Sequence, residues 1–431
     1  MFRLIPAVAI IIALYVAEAF LIFIEDVPYM VPLPPMWWQA KYHERSYDQR
    51  NEHMTLADAA HEGVTVFPQV PPLVWINGRD AGYFERNLGF LPLSFRPNAT
   101  SFCNESGEWV GYFTNNLGFR KLAHSDPAPY SQATKVVIVG DSYAFGTCVE
   151  ASSSIGGVIN DSGFIVKSYA LPGTGPLFHY ASFVEYGRHD NPDFLVWHFY
   201  INDLRDVLGE QNNETMANYL DMTYSQDLID KSDMIALAQA TYFDEKLSRV
   251  LKEVSTKQQE NDALIRWIEG TEIYLDSWRN KPFMRYVKLW RVRTRVLGQK
   301  LVPASNGPFG RYGDLSKDAL GDSLEVLDRV LGNVANLARQ DGMRVIFSYQ
   351  PVWESYNNFS SSWEKVKVAV QEMVLSHGIE FVDAFDGLSA NQMKKYYPFG
   401  LKSRLHSNEA GYTRIAEAIV RRIRCMENSS C

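Results

Sequence analysis

Five short apolar runs, at Lys135–Val139, Phe164–Tyr169, Phe194–Tyr200, Met343–Tyr349 and Ile379–Val382, constrain this chain more than any other feature. Each is β-branched or aromatic and unbroken, the pattern of a strand buried on both faces of a parallel sheet. Helical patterns separate most of them. Leu324, Leu327, Leu331, Val334 and Ala338 fall on one helical face, and a second helical stretch runs from Trp363 to Ser376. Strand and helix in alternation predict an α/β domain with a mainly parallel sheet and helices on both faces. The stretch from about 207 to 320 breaks the alternation with a helix-rich, strand-poor block and reads as an insertion. No repeat of fixed period runs along the chain.

Length and charge narrow the function classes. A chain of 431 residues with 46% hydrophobic and 21% charged side chains is long enough for more than one folding unit and too apolar for disorder. Its net charge of -8 argues against nucleic acid as a partner, because neutralising phosphates needs a basic surface. Nothing in the sequence carries the spacing of a cofactor or metal site.

The segment Leu4–Ile24 has Glu18 as its only charged side chain. About 20 apolar residues at ~1.5 Å rise match a bilayer core of ~30 Å, so this segment is expected to be a transmembrane anchor. Arg3 before it and Glu25 and Asp26 after it place the N-terminus in the cytosol and the bulk of the chain outside. A cleaved signal peptide ending at Ala17-Glu18-Ala19 is the alternative, with the same consequence for location: periplasmic or extracellular. Pro28, Pro32, Pro34 and Pro35 then give a stiff spacer, and 26–130 reads as an N-terminal β and loop region, followed by the α/β domain over 131–431. Four cysteines lack C-x-x-C spacing. A short C-terminal loop closed by Cys425 and Cys431 would leave Cys103 to pair with Cys148; free buried thiols are the other possibility.

The run at 136–139 leads into Gly140-Asp141-Ser142. In an open parallel sheet the ligand crevice lies at the carboxyl ends of the strands, so a serine there sits where substrates bind, beside helix amides that favour developing negative charge. Taken alone, Asp141 and Ser142 could equally be helix caps. A serine nucleophile needs a base, most often histidine. His406, in Leu405-His-Ser-Asn-Glu-Ala-Gly411-Tyr412, follows the last predicted strand and so returns to the same edge. The turns at Gly173 and Asn202 follow the second and third runs and offer the amide donors that an oxyanion hole uses.

The order Gly140-Asp-Ser142, Gly173, Asn202 and His406-x-Asn408-x-x-Gly411-Tyr412 resembles the SGNH (GDSL-like) hydrolases, from about residue 135 to 425 outside the insertion. The resemblance implies a flavodoxin-like three-layer α/β/α sandwich. It also implies Ser142 as nucleophile, His406 as base, and the Ser142 amide, Gly173 and Asn202 as oxyanion donors. One position departs from the pattern. The family carries an aspartate three residues before the histidine, where this chain has Ser403. A Ser-His dyad held by Ser403 or a backbone carbonyl is the first expectation, with Asp383 or Asp386 reaching in as the second.

Together these features point to a membrane-anchored, extracytoplasmic serine esterase or O-acyltransferase. Its expected substrates are ester-linked acyl groups, acetyl among them, of an envelope glycan or lipid, with a membrane-bound acyl-transfer partner as a further expectation. The missing aspartate motivates the alternative of a catalytically silent glycan-binding or assembly component. Within the insertion, Arg285, Lys288, Arg291, Arg293, Arg295 and Lys300 form a basic segment that could meet anionic headgroups or an acidic polymer.

Overall fold

The computed structural model describes residues 11, 13–17, 47, 48, 50–122, 133–252, 254, 317–351, 361–398 and 406–428. The chain divides into two compact units, Met1–Leu33 with Lys252–Asp314, and Pro34–Leu251 with Leu315–Cys431. The second unit holds every strand and every residue of the candidate site.

Two antiparallel strands, β1 (Thr100–Cys103) and β2 (Val110–Phe113), form a hairpin. Five more, β3 (Lys135–Gly140), β4 (Ile165–Ser168), β5 (Phe194–Tyr200), β6 (Arg344–Gln350) and β7 (Glu380–Asp383), make one sheet of order β4-β3-β5-β6-β7. Every pair in it is parallel. All five apolar runs are strands, with ends displaced by a residue or so. Burial explains their composition: all seven residues of central β5 are buried, whereas edge strand β7 is only partly covered.

Helices cover both faces. Glu409–Glu427 packs against Ile155–Asp161 and the far strands, while Pro176–Glu185, Asp203–Glu210 and Lys317–Asp341 pack together elsewhere. The order is that of a doubly wound, flavodoxin-like sheet. Its topological switch lies at β3, between β4 on one side and β5 on the other, and ligands bind at the carboxyl ends of strands flanking such a point.

The N-terminal region departs from the β and loop expectation. Beside the β1–β2 hairpin it has helices at Glu52–His61, Leu73–Ile76 and Tyr83–Leu88. The first is capped by Asn51, whose side chain accepts from the Met54 amide; the third is bracketed by left-handed Gly82 and Gly89. Trp75, Phe67 and Phe84 from this region pack on Tyr242 and Phe243, at ring centroid distances of 5.1–5.7 Å for Phe67–Phe243, Phe84–Tyr242 and Trp75–Tyr242. Residues 232–252, which carry Tyr242, are helical, so the described start of the insertion is helix-rich as expected. The remainder of the insertion, including Arg285 to Lys300, lies outside the described residues, as do Ser403 and Cys431.

Among the described residues no helix is long and apolar enough to cross a membrane. Of the expected span Leu4–Ile24, only 11 and 13–17 are described, and they are helical.

Candidate active site

β3 delivers the chain to the switch point at Gly140, which has φ +151°. A Cβ at this position would meet the His198 carbonyl oxygen at 2.5 Å and the Ala144 Cβ at 2.6 Å. The missing side chain lets the backbone turn sharply beneath β5. Asp141 then caps the Ser142–Phe145 helix, its Oδ1 accepting from the Tyr143 amide at 2.9 Å. Ser142 is therefore not the cap but the first helical residue, with its hydroxyl at the sheet edge. Burial pushes the Asp141 carboxyl up to about 6.

His406 arrives from the other end of the chain, just ahead of the Glu409–Glu427 helix, which Asn408 caps by accepting from the Gly411 amide. Gly411 sits against the Tyr396 carbonyl, where a Cβ would come within 2.7 Å, so the helix start is pinned to the preceding segment. The His406 Nε2 lies 2.8 Å from the Ser142 Oγ. The Tyr143 ring packs against the imidazole with a centroid distance of 5.0 Å.

The other side of the imidazole is held by Glu105. Its Oε1 lies 2.8 Å from His406 Nδ1, and its Oε2 accepts from the His406 backbone amide at 2.8 Å. One carboxylate thus grips both the ring and the main chain of a single residue, which fixes the ring plane. With Nδ1–H donating to Glu105, Nε2 is the unprotonated nitrogen and the Ser142 hydroxyl donates to it, the tautomer a general base requires. Burial pushes the His406 pKa down, but the charge and hydrogen bond of Glu105, helped by Asp141, outweigh it, and the group lies above its ordinary value.

Glu105 corrects the sequence reading. Among the described residues the carboxylate on His406 Nδ1 is Glu105, in place of the expected dyad, and neither Asp383 nor Asp386 is that partner. Asp383, at the end of β7, pairs with Lys367 at 2.7 Å and accepts from the Phe385 amide at 2.8 Å. Asp386 is exposed and pairs with the same lysine at 2.9 Å. In the sheet order two strands separate β7 from β3, too far for a short carboxylate to reach across. Glu105 instead comes from the turn between β1 and β2, outside the α/β sheet. The available signal was the cysteine pairing: Cys103 and Cys148 are disulfide-bonded with Cα atoms 5.1 Å apart, which brings the sequence beside Glu105 to the sequence just past Ser142. Cys425 is disulfide-bonded as well.

Gly173 and Asn202 occupy the carboxyl ends of the strands flanking β3. Gly173 has φ +69°, and Pro71 from the N-terminal region packs so closely that a Cβ would meet its ring at 2.8 Å. The turn around it is tied to β3 by the Leu171 amide, which donates to the Gly140 carbonyl at 3.2 Å. Its far end is held by Glu210, which accepts from the amides of Gly175, Leu177 and Phe178 at the start of the Pro176–Glu185 helix. Burial pushes Glu210 up to about 8. Asn202 precedes the Asp203–Glu210 helix, and its Nδ2 donates to Asp206 at 3.1 Å. His179 supports the Gly173 turn from below through Thr174 at 3.1 Å, and burial lowers it to about 3, so it is a neutral packing residue.

The turn after the Ser142–Phe145 helix is held by three side chains. Buried Arg120 donates to the carbonyls of Phe145, Gly146 and Val149. The Tyr412 hydroxyl donates to the Thr147 carbonyl at 3.2 Å, and the Cys148 amide donates to the Tyr112 hydroxyl at 2.9 Å.

No protein-family model and no curated protein matches the chain. Solved structures do. An acetyl xylan esterase, AlAXEase, is similar at 8% identity and TM-score 0.35, covering 67% of this chain and 99% of its own. A GDSL-like lipase from Bacteroides thetaiotaomicron VPI-5482 is similar at 12% identity and TM-score 0.32, covering 69% and 90% respectively. A variant of an acetyl-xylooligosaccharide esterase from Geobacillus is similar at 12% identity and TM-score 0.32, covering 67% and 94%. Besides that GDSL-like lipase, a lipolytic protein of the G-D-S-L family from Desulfitobacterium hafniense DCB-2 is similar at 12% identity and TM-score 0.34, covering 67% of this chain and 98% of its own.

Proposed function

We propose that this protein is a serine esterase working through an acyl-enzyme on Ser142. The observation that carries the reading is the continuous relay from Ser142 Oγ to His406 Nε2 and from His406 Nδ1 to Glu105 Oε1, each link 2.8 Å long. The serine attacks an ester carbonyl while His406 takes its proton; Glu105 stabilises the imidazolium that results. The carbonyl oxygen, now negative, is received by the Ser142 amide at a helix start, with the Gly173 amide and the Asn202 carboxamide as further donors. His406 then returns the proton to the leaving alcohol, and water or a second alcohol, admitted by the same base, releases the acyl group.

The Glu105 carboxylate on His406 Nδ1 answers the missing aspartate that motivated the silent binding component, and so supports the catalytic reading. The proposed substrate class rests on the site together with a proposed extracytoplasmic location. Disulfides suit an oxidising compartment, and the apolar Leu4–Ile24 run suits an anchor there. Ester-linked acyl groups on envelope glycans or lipids are the matching substrates, and an alcohol acceptor in place of water would make the same acyl-enzyme an O-acyltransferase. The test is turnover of p-nitrophenyl acetate by wild type, Ser142→Ala and His406→Ala, followed by product analysis with and without a glycan acceptor. Loss of turnover in both variants, with circular dichroism unchanged, supports the reading; undiminished turnover in Ser142→Ala overturns it.

A further inference from the structure

Glu105 stands on a short turn outside the sheet, yet its carboxylate must hold an imidazole to within a few tenths of an ångström. The turn is organised locally by the Asn104 Oδ1, which accepts from the Gly107 amide at 2.9 Å, and by the Gly107 carbonyl, which accepts from the Asp48 amide at 2.7 Å. Those contacts shape the turn without tying it to the sheet that carries Ser142. The covalent tie is the Cys103–Cys148 disulfide. Cys103 ends β1, two residues before Glu105, and Cys148 lies six residues after Ser142. Both sulfurs and a Glu105 carboxylate oxygen lie within 4.8 Å of one another.

The Cys148 end is a fixed point. Its neighbours Gly146, Thr147 and Val149 are bound through their carbonyls by Arg120 and Tyr412, and its own amide by Tyr112. Cys148 itself adopts φ +60°, a left-handed conformation that a non-glycine residue keeps only where its surroundings dictate it. Tyr112 lies on β2, so the hairpin that carries Glu105 and the loop that follows the nucleophile meet at this one residue by both a hydrogen bond and a covalent bond.

We infer that Cys103 and Cys148 are positioning residues, their disulfide setting Glu105 against His406 so that base strength at Ser142 depends on the oxidised bond. The inference rests on the Ser142–His406–Glu105 reading and adds a redox requirement to it. Breaking the bond leaves the turn after Ser142 intact and the hairpin held to Cys148 by the Tyr112 hydrogen bond alone, and a displacement of ~1 Å in a catalytic group can cost ~10²-fold in rate.

The test uses the full chain with Cys103→Ser and Cys148→Ser combined, with and without Glu105→Gln. The readouts are the His406 pKa by imidazole NMR and kcat and KM for p-nitrophenyl acetate, with near-ultraviolet circular dichroism as the check on folding. The expected result is a folded double variant whose His406 pKa falls toward that of Glu105→Gln. Its kcat drops by about 10²-fold with KM little changed. In the Glu105→Gln background, breaking the disulfide changes kcat by no more than about twofold, since the group it positions is already gone. An unchanged His406 titration, a double variant that no longer folds, or an equal loss in the Glu105→Gln background each overturns the inference. A falling His406 pKa in a chain whose wild type hydrolyses no ester supports the positioning role while sinking the esterase reading, so the two fail separately.

Discussion

Glu105→Gln is the perturbation that separates a triad from a dyad most sharply. Glutamine keeps the length and shape of the side chain but offers one acceptor where the carboxylate offers two. The two donors it must meet are the ring Nδ1–H and the backbone amide of His406, each 2.8 Å from a different carboxylate oxygen. If the glutamine oxygen keeps the ring, its NH2 faces a backbone N–H, and the lost hydrogen bond becomes a donor–donor clash. If it turns over, NH2 faces Nδ1, the ring must place its proton on Nε2, and Ser142 loses its base. Either way the imidazolium of the transition state loses its counter-charge. Replacing the equivalent acid by its amide in a serine protease costs ~10⁴-fold in kcat, or about 5 kcal/mol at 1.36 kcal/mol per decade. A fall of 10³- to 10⁴-fold in kcat is therefore expected for ester hydrolysis (about 4–5 kcal/mol).

The pH profile supplies a second, signed readout of the same variant. In the wild type Glu105 holds the His406 pKa above its ordinary value of ~6.5, and the base works only when neutral, so kcat/KM falls as pH drops through that raised value. Without the carboxylate, burial dominates and pulls the pKa down, so the acid limb moves to lower pH while the plateau falls. Stopped-flow or steady-state profiles of p-nitrophenyl acetate hydrolysis measure both. A variant within tenfold of wild type, with its acid limb unmoved, would refute the role given to Glu105.

Four further outcomes follow from the geometry. Gly140→Ala places a methyl against the His198 carbonyl and Ala144 at a left-handed backbone position, so the melting temperature should fall steeply, with loss of about 2 kcal/mol or more of stability from strain and overpacking. Arg120→Met strands three carbonyls of the turn after the nucleophile helix, and urea denaturation should register a loss of about 3 kcal/mol. Glu210→Ala removes the acceptor shared by three amides beside the Gly173 turn; a lower kcat than wild type with KM nearly unchanged, together with reduced stability, is expected in parallel assays. Because burial raises Glu210 to about 8, the folded state favours its protonated form. Stability from this group is thus full below ~4.5 and is lost as pH rises toward 8, and Glu210→Gln should flatten that part of a stability-against-pH curve.

The parallel sheet was legible because burial on both faces forces unbroken apolar runs, and β3 and β5 carry them without interruption. Ser142 and His406 were legible because topology alone brings strand ends and the last helix start to one rim. The helices of the N-terminal region were not, since Leu73–Ile76 is a single apolar turn and Tyr83–Leu88 is defined by its flanking glycines rather than by an amphipathic period. Glu105 was hidden for a different reason. It stands 301 residues from the histidine it orients and belongs to a hairpin outside the sheet, so no local spacing connects the two. The nearest carboxylates preceding His406 in sequence, Asp383 and Asp386, drew attention instead, although Lys367 already holds both. What linked Glu105 to the site in the sequence was the pairing of Cys103 with Cys148, whose consequence for the geometry around Glu105 the spacing alone does not show.

The most direct test of the account is to trap the covalent intermediate: mix the full-length protein with p-nitrophenyl acetate, quench in acid within the first turnover, and map the modified peptide by mass spectrometry. A single acetyl group on Ser142, absent after His406→Ala, is the predicted result. Turnover with the acetyl group on another residue, or with none on Ser142 at any quench time, would contradict it.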